Sequence, residues 1–347
     1  MNHLKKFHMF EEVRGVAEAT LYLSDFLCQF ITERSIEFQK ENEDQESSES
    51  TEEYVFNYDD LEPHLPKKSI YAYFPVSKIN FTLLLKKEAK SQTYPFKVGG
   101  WAAGFGKKKQ GESYFRKGVR KNRDHSISLS MGIDVYVGNF DLESDVNNSF
   151  QMKLEAVVLH ELNHFYEYYN RSWDPYGRNI QTSVTWASIG DVPENVNKKV
   201  FTFWQDNFTY YIYQSEPHEV NAQVQEAKPY VDKLSFEELK KTNIWKNIKT
   251  MQNYDEQKFL HKFHEEALSH DPTLIESEVL SQYIKIWKTE YKRLYKSQTE
   301  QNNPRPEFFE KMSDGQFMEY WGRKIREAGD RMVRRIIRQY ANKEKED

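Results

Sequence analysis

Residues 154–171 read LEAVVLHELNHFYEYYNR and carry a short set of polar groups inside an apolar segment. The spacing of the apolar residues predicts a helix over residues 149–169. Residues four apart on a helix share one face, so His160 and His164 can direct two imidazoles at a single metal ion. Glu161 lies beside them, where its carboxylate can take a proton from water without itself binding the metal.

The spacing of these residues is only a moderate signal by itself. The chain contains 10 histidines among 347 residues. Chance produces the same pattern in about one chain in thirty of this composition. The alternative interpretation is an accidental histidine pair on a surface helix. The apolar neighbours Val157, Val158 and Leu159 argue against it, because buried ionisable groups are costly unless they are paired or bound to metal.

A catalytic zinc site needs a third protein ligand and one open position. In one known pattern a glycine and a third histidine follow the second histidine, but Glu167 and Asn170 stand at those places. The third ligand must therefore be sought further along the chain. The carboxylate candidates there are Asp174, Asp191 and Glu219.

Glu219 is the strongest of these candidates. It lies in the segment Ser215–Ala222, SEPHEVNA, near the start of a predicted helix. Ala222 follows three residues later, and a small side chain there allows close packing against the metal-bearing helix. Glu216 and His218 compete with Glu219 for the role. Glu216 shares a helical face with Glu219 whereas His218 points elsewhere, so we predict Glu219 as the ligand.

This set of residues resembles the zincin metallopeptidases, and within them the group whose third ligand is a helical glutamate. The matching positions are His160, Glu161, His164, Glu219 and Ala222. The resemblance implies a Zn²⁺ cofactor held by His160, His164 and Glu219, with Glu161 as the catalytic general base. It also implies a zinc metalloendopeptidase that acts on a protein or peptide substrate.

The resemblance covers residues 126–228, under a third of the chain. The family fold has a strand along the cleft just before the metal-bearing helix, and residues 126–138 (SISLSMGIDVYVG) are in that place. Apolar and polar residues alternate there, which predicts a strand with one buried face. Residues 160–171 are also similar to uncharacterised putative peptidases encoded by bacteriophages.

Two features depart from the family pattern. The 54 residues between His164 and Glu219 make a longer gap than in the compact members. His218, rather than an asparagine, precedes the glutamate. Both departures bear on the third ligand and leave the two-histidine motif untouched.

Further site residues are expected near this motif. A developing oxyanion needs a hydrogen-bond donor besides the metal. The candidates are Tyr210, Tyr211, Tyr213 and His218, of which we select Tyr211 and His218 as transition-state stabilisers. Glu167, seven residues after His160, is a candidate for orienting a ligand from behind.

The pattern along the chain predicts an α+β, mostly helical protein. A small twisted sheet would place its cleft-side strand on the metal-bearing helix, and a helical C-terminal region would follow. The predicted parts are an N-terminal helix (1–40), an acidic linker or loop (41–62), a zincin-like catalytic domain (63–232) and a helical C-terminal region (233–347).

The composition limits the kinds of metal site and core. The single cysteine, Cys28, excludes an internal disulfide and a cysteine-rich zinc site, so a metal must be held by histidine and carboxylate. Only 38% of residues are hydrophobic, yet 23 Phe, 22 Tyr and 7 Trp are present. Such ring content is untypical of disordered chains and predicts a folded protein with a core of aromatic rings.

Two other functions compete with the peptidase. One is a structural or virion-associated assembly protein that keeps a zincin-like domain without proteolytic activity and binds a protein partner through its C-terminal helices. The other is nucleic-acid binding through Lys107–Arg123 and the arginine-rich last helix, which the net charge of −5 opposes. The basic segment Lys107–Arg123 reads more simply as a solvated loop.

The sequence also predicts where the protein resides. The first twelve residues lack the apolar run of a signal peptide. The chain also has no run approaching the roughly 18 apolar residues that span a bilayer. We therefore expect a cytoplasmic or virion-associated protein that has no membrane segment and is not secreted by the ordinary route.

Overall fold

A computed structural model describes most of the chain. The described residues are 2–61, 76–88, 96–102, 119–121, 127–137, 142, 149–172, 196–273, 275–296 and 304–346. The chain divides into two compact units, one comprising Met1–Trp173 and Gln225–Lys233, the other Asp174–Val224 and Leu234–Asp347. The N-terminal helix belongs to the unit that holds the sheet, and the predicted domain boundaries stay predictions.

The predicted α+β, mostly helical class is confirmed. The strands are β1 (Ser47–Asn57), β2 (Val76–Glu88), β3 (Phe96–Ala102), β4 (Val119–Lys121) and β5 (Ile127–Val137). The helices are α1 (Asn2–Glu41), α2 (Tyr58–Leu61), α3 (Ser149–Ser172), α4 (Lys198–Trp204), α5 (Tyr210–Gln214), α6 (Pro217–Glu226), α7 (Lys228–Lys233), α8 (Phe236–Leu239), α9 (Asn243–Gln252), α10 (Glu256–His270), α11 (Glu276–Lys296), α12 (Pro306–Glu310) and α13 (Asp314–Glu346). A π-helical turn, Gln205–Thr209, joins α4 to α5. None of the helices described here is long and apolar enough to cross a membrane.

The sheet has the order β1-β2-β5-β3, with β4 beside β5. β2 and β5 run parallel, whereas β1, β3 and β4 are antiparallel to their neighbours. β5 is the strand predicted from the alternating pattern. Met131, Ile133, Val135 and Val137 are buried on its core side, as a period of two requires.

The prediction of an acidic linker or loop is wrong over residues 47–57. These residues form β1, which pairs with β2 along its whole length. Arg34 of α1 places a guanidinium nitrogen 2.7 Å from Glu52, and Phe30 packs edge-on against Tyr54 at 4.7 Å between ring centroids. Backbone pairing and these contacts outweigh the low strand propensity of glutamate and serine.

The core of the first unit is mainly aliphatic. α1, the sheet and α3 contribute to one buried cluster, which includes Leu27, Leu83, Val135 and Val158. Burying each such side chain contributes about 1.5–3 kcal/mol. The predicted core of aromatic rings is therefore wrong for this unit. The cluster fixes α3, and with it the histidine pair, on the sheet.

The second unit has the ring-rich core that the composition predicts. Trp204, Trp287 and Trp321 are all buried. The rings of Trp287 and Trp321 meet edge to face with centroids 5.6 Å apart, an arrangement that aromatic quadrupoles favour. The predicted helical C-terminal region is confirmed, since α8–α13 account for most of its described residues.

Gly329 allows α13 to lie directly on the backbone of α9. A Cβ atom at this position would stand 2.6 Å from Gln252 Cα and 2.8 Å from the carbonyl carbon of Met251. Because backbone cannot move aside as a side chain can, we expect Gly329→Ala to lower the free energy of unfolding by about 3 kcal/mol. Urea denaturation measures this change. Gly315→Ala is the matched control on the same helix, since nothing lies within 4 Å of its Cβ position; equal stability of the two variants would contradict the prediction.

Candidate metal centre

α3 presents the two histidines of the motif from its apolar middle. The rings of His160 and His164 lie 4.8 Å apart between centroids, nearly perpendicular to each other. The His160 side chain is 17% exposed and His164 is 6% exposed. Glu161, between them in sequence, is buried. A pair of nearly buried imidazoles on one helical face is a suitable start for a metal site.

Glu219 completes the cluster from the first turn of α6. It is 2% exposed, and a carboxylate near a helix N-terminus is stabilised by the helix dipole. One potential ligand atom from each of His160, His164 and Glu219 lies within 4.8 Å of the other two. The predicted ligands are therefore close together, and the cluster can hold a metal ion. Two imidazole nitrogens and one carboxylate oxygen form a donor set that suits zinc, and among the described residues the cluster offers these three ligands.

The other candidate ligands do not join this cluster. Glu216 is buried just before the start of α6, and its charge adds to the effect of burial in raising the pKa of Tyr320. His218 places Nε2 3.2 Å from Glu219 Oε1, next to a ligand atom. Asp174 and Asp191 lie outside the described residues. Among the described residues, helix α6 therefore supplies Glu219 as the carboxylate of the cluster.

Both suggested transition-state stabilisers, Tyr211 and His218, lie among the described residues. Their role in catalysis stays a prediction. His218 is buried, with its imidazole beside the carboxylate of Glu219. Tyr211 packs edge to face with Tyr254 at 5.8 Å between centroids. Burial raises the pKa of Tyr211, so its hydroxyl keeps its proton and remains a hydrogen-bond donor at neutral pH.

Glu226, which the sequence did not single out, contacts His160 from behind. Its Oε2 lies 3.1 Å from His160 Nδ1, and its Oε1 lies 3.1 Å from Lys153 Nζ. Burial alone would raise the pKa of Glu226, but Lys153 and the hydrogen bond from His160 hold it at about 2. Glu167 is the residue predicted to orient a ligand from behind, and its side chain is outside the part of the structure that is described. Glu226 follows Glu219 by seven residues, about two helical turns; this spacing places it on the same side of α6 as Glu219 but does not show that it contacts His160.

Glu161 lies against strand β3, at a glycine. A Cβ atom on Gly100 would stand 2.8 Å from Glu161 Cγ and 2.9 Å from Val157 Cγ1. The strand beside the candidate base is therefore β3, whereas β5 lies inside the sheet between β2 and β3. The predicted strand 126–138 precedes α3 as expected, but its neighbour β3 approaches the motif.

The site thus combines a His–His–Glu cluster, a buried carboxylate beside it and a charged pair behind one histidine. The basic segment Lys107–Arg123 was predicted as a loop, which is wrong over Val119–Lys121, because these residues form β4 beside β5. The rest of the segment lies outside the described residues, so the loop there stays a prediction. Comparison of the chain with protein-family models, curated proteins and solved structures finds no match.

Proposed function

We propose that this protein is a zinc-dependent metallopeptidase that hydrolyses bonds within protein or peptide substrates. The observation that carries the proposal is the approach of His160, His164 and Glu219 to within 4.8 Å of one another. Structural zinc sites use four protein ligands, and catalytic sites use three and keep one position open. Within the part of the chain that the structure describes, the cluster offers three ligands, which supports a catalytic metal.

The chain's own residues divide the work of hydrolysis. His160, His164 and Glu219 would hold the ion, and a zinc ion so held acts as a Lewis acid on water and on carbonyl groups. Glu161 takes a proton from the attacking water as its oxygen bonds to the carbonyl carbon. When the carbon–nitrogen bond breaks, Glu161 gives that proton to the leaving nitrogen. Glu161 is buried, so the transfer takes place away from bulk water.

His218 and Tyr211 are proposed as donors to the developing oxyanion. Both carry N–H or O–H groups on the segment that leads into and begins α6. A donor placed before the reaction starts stabilises the charge without reorganising. Replacing each in turn should lower kcat more than it raises KM if the contact forms only in the transition state.

Metal content and hydrolysis test the proposal together. We expect protein purified without chelator to carry about one zinc ion per chain, since one cluster offers one site. Such protein should cleave casein or members of a peptide library. Removal of zinc with a chelator should abolish cleavage, and zinc addition should restore it. Absence of bound zinc would contradict the proposal.

Zinc without hydrolysis would favour the alternative function. That outcome would describe a structural or assembly-associated protein in which the same cluster serves binding. Activity insensitive to the chelator would instead locate any cleavage outside the cluster.

A further inference from the structure

Glu226 joins two positively polarised groups on one face of α3. Lys153 and His160 are seven residues apart in sequence, about two helical turns, so both face the same way. Glu226 Oε1 lies 3.1 Å from Lys153 Nζ and Glu226 Oε2 lies 3.1 Å from His160 Nδ1. Each carboxylate oxygen therefore has its own partner, and the carboxylate has one orientation that satisfies both.

The contact to His160 decides which ring nitrogen faces the cluster. Nδ1 donates its proton to Glu226, which leaves Nε2 as the nitrogen that can bind a metal ion. Histidine ligands usually make such a hydrogen bond through their other ring nitrogen, and it fixes both the tautomer and the ring orientation.

Glu226 is also a potential competitor for the metal. It follows Glu219 by seven residues on α6, so the two carboxylates lie on nearly the same helical face. The cluster contains Glu219 and not Glu226. A partly buried carboxylate without a compensating charge would gain by moving toward a cation, and Lys153 supplies that charge.

We propose that Lys153 is a positioning residue of the metal centre that acts through Glu226. Its ammonium group holds Glu226 Oε1, which keeps Oε2 on His160 Nδ1, leaves His160 Nε2 for the metal and reserves the carboxylate position for Glu219. The inference rests on the metal site of the proposed function, but it does not depend on peptidase activity.

The test is metal binding by Lys153→Met. We expect its zinc dissociation constant, measured by competition with a chromophoric chelator, to rise roughly 10- to 100-fold, the usual effect of losing a group behind a ligand. The visible spectrum of the cobalt-substituted protein should change as well, because the ligand geometry changes. Lys153→Arg should retain most of the affinity, since a guanidinium can hold the same carboxylate.

Lys233→Met is the matched control. Lys233 Nζ lies 2.7 Å from Glu155 Oε2, so it too pairs with a glutamate across α3 and its neighbouring helix. Glu155 is not part of the metal cluster. This variant should bind zinc as the wild type does, with an unchanged cobalt spectrum.

A double-variant cycle shows whether Lys153 acts through Glu226. Glu226→Gln should weaken zinc binding by itself, and adding Lys153→Met should cause little further loss. Additive losses would overturn the proposal, as would a Lys153→Met protein whose zinc affinity equals that of the control. A protein that binds zinc as expected but cleaves no peptide would refute only the peptidase, whereas a protein that binds no metal would refute both.

Discussion

Glu161→Gln should leave zinc bound and lower kcat/KM for peptide hydrolysis by roughly 10²- to 10⁴-fold, the usual contribution of a general base. The amide has nearly the shape of the carboxylate but cannot accept a proton. Glu161 is 7% exposed, and an uncharged side chain is no harder to bury there. Zinc content and kcat/KM, measured on the same preparation, check the result.

Glu155→Gln provides the control for this substitution. Glu155 lies on the same helix, α3, and pairs with Lys233 rather than with the cluster. Its replacement should leave both zinc content and hydrolysis unchanged. Full activity of Glu161→Gln would refute Glu161 as the base. Joint loss of zinc and activity would assign it to metal binding instead.

Gly100→Ala should lower peptide hydrolysis by about 100-fold, because a displacement of the base near 1 Å costs that much. The added methyl group would meet Glu161 Cγ at 2.8 Å and Val157 Cγ1 at 2.9 Å, so the side chain of Glu161 on α3 must move away from β3. Zinc content should stay near that of the wild type, since neither contacted side chain belongs to the ligand cluster. Steady-state kinetics with metal analysis measure both quantities.

Gly99→Ala separates the effect on the base from a general effect on the strand. Gly99 neighbours Gly100 on β3, and nothing lies within 4 Å of its Cβ position. This variant should hydrolyse peptides as the wild type does. If both variants lose activity equally, the strand itself is disturbed and the contact between Gly100 and Glu161 is not the cause.

The periodicity of apolar residues was sufficient to predict the helix that carries the motif and the strand that precedes it. The helix predicted over 149–169 is α3, Ser149–Ser172, and the strand predicted over 126–138 is β5, Ile127–Val137. Both have long apolar patterns of a single period, which is the strongest signal that a sequence contains. The prediction for the acidic segment was wrong because its residues have no such pattern. β1 is stabilised by its pairing with β2 and by contacts with α1, and these contacts lie outside the segment itself.

The supporting residues of the site could not be predicted in this way. Gly100 contacts Glu161 only because β3 is placed beside β5 in the sheet order. Glu226 reaches His160 from 66 residues further along the chain. Such contacts depend on which elements pack together, and the spacing within a single element does not contain that information.

The residue types in the sequence limit the ligands available to the candidate site. A lone cysteine and two histidines four residues apart on a helix leave histidine and carboxylate as the ligand types. The sequence favoured Glu219 as the third ligand, and the tertiary structure shows that Glu219 lies with the two histidines. Glu219 and Glu226 lie on nearly the same side of α6, and Glu216 directly precedes that helix, so helical period alone cannot rank the three carboxylates. The fold places Glu219 with the histidines and Glu226 behind His160. Each carboxylate has a partner there, as a charge removed from water requires.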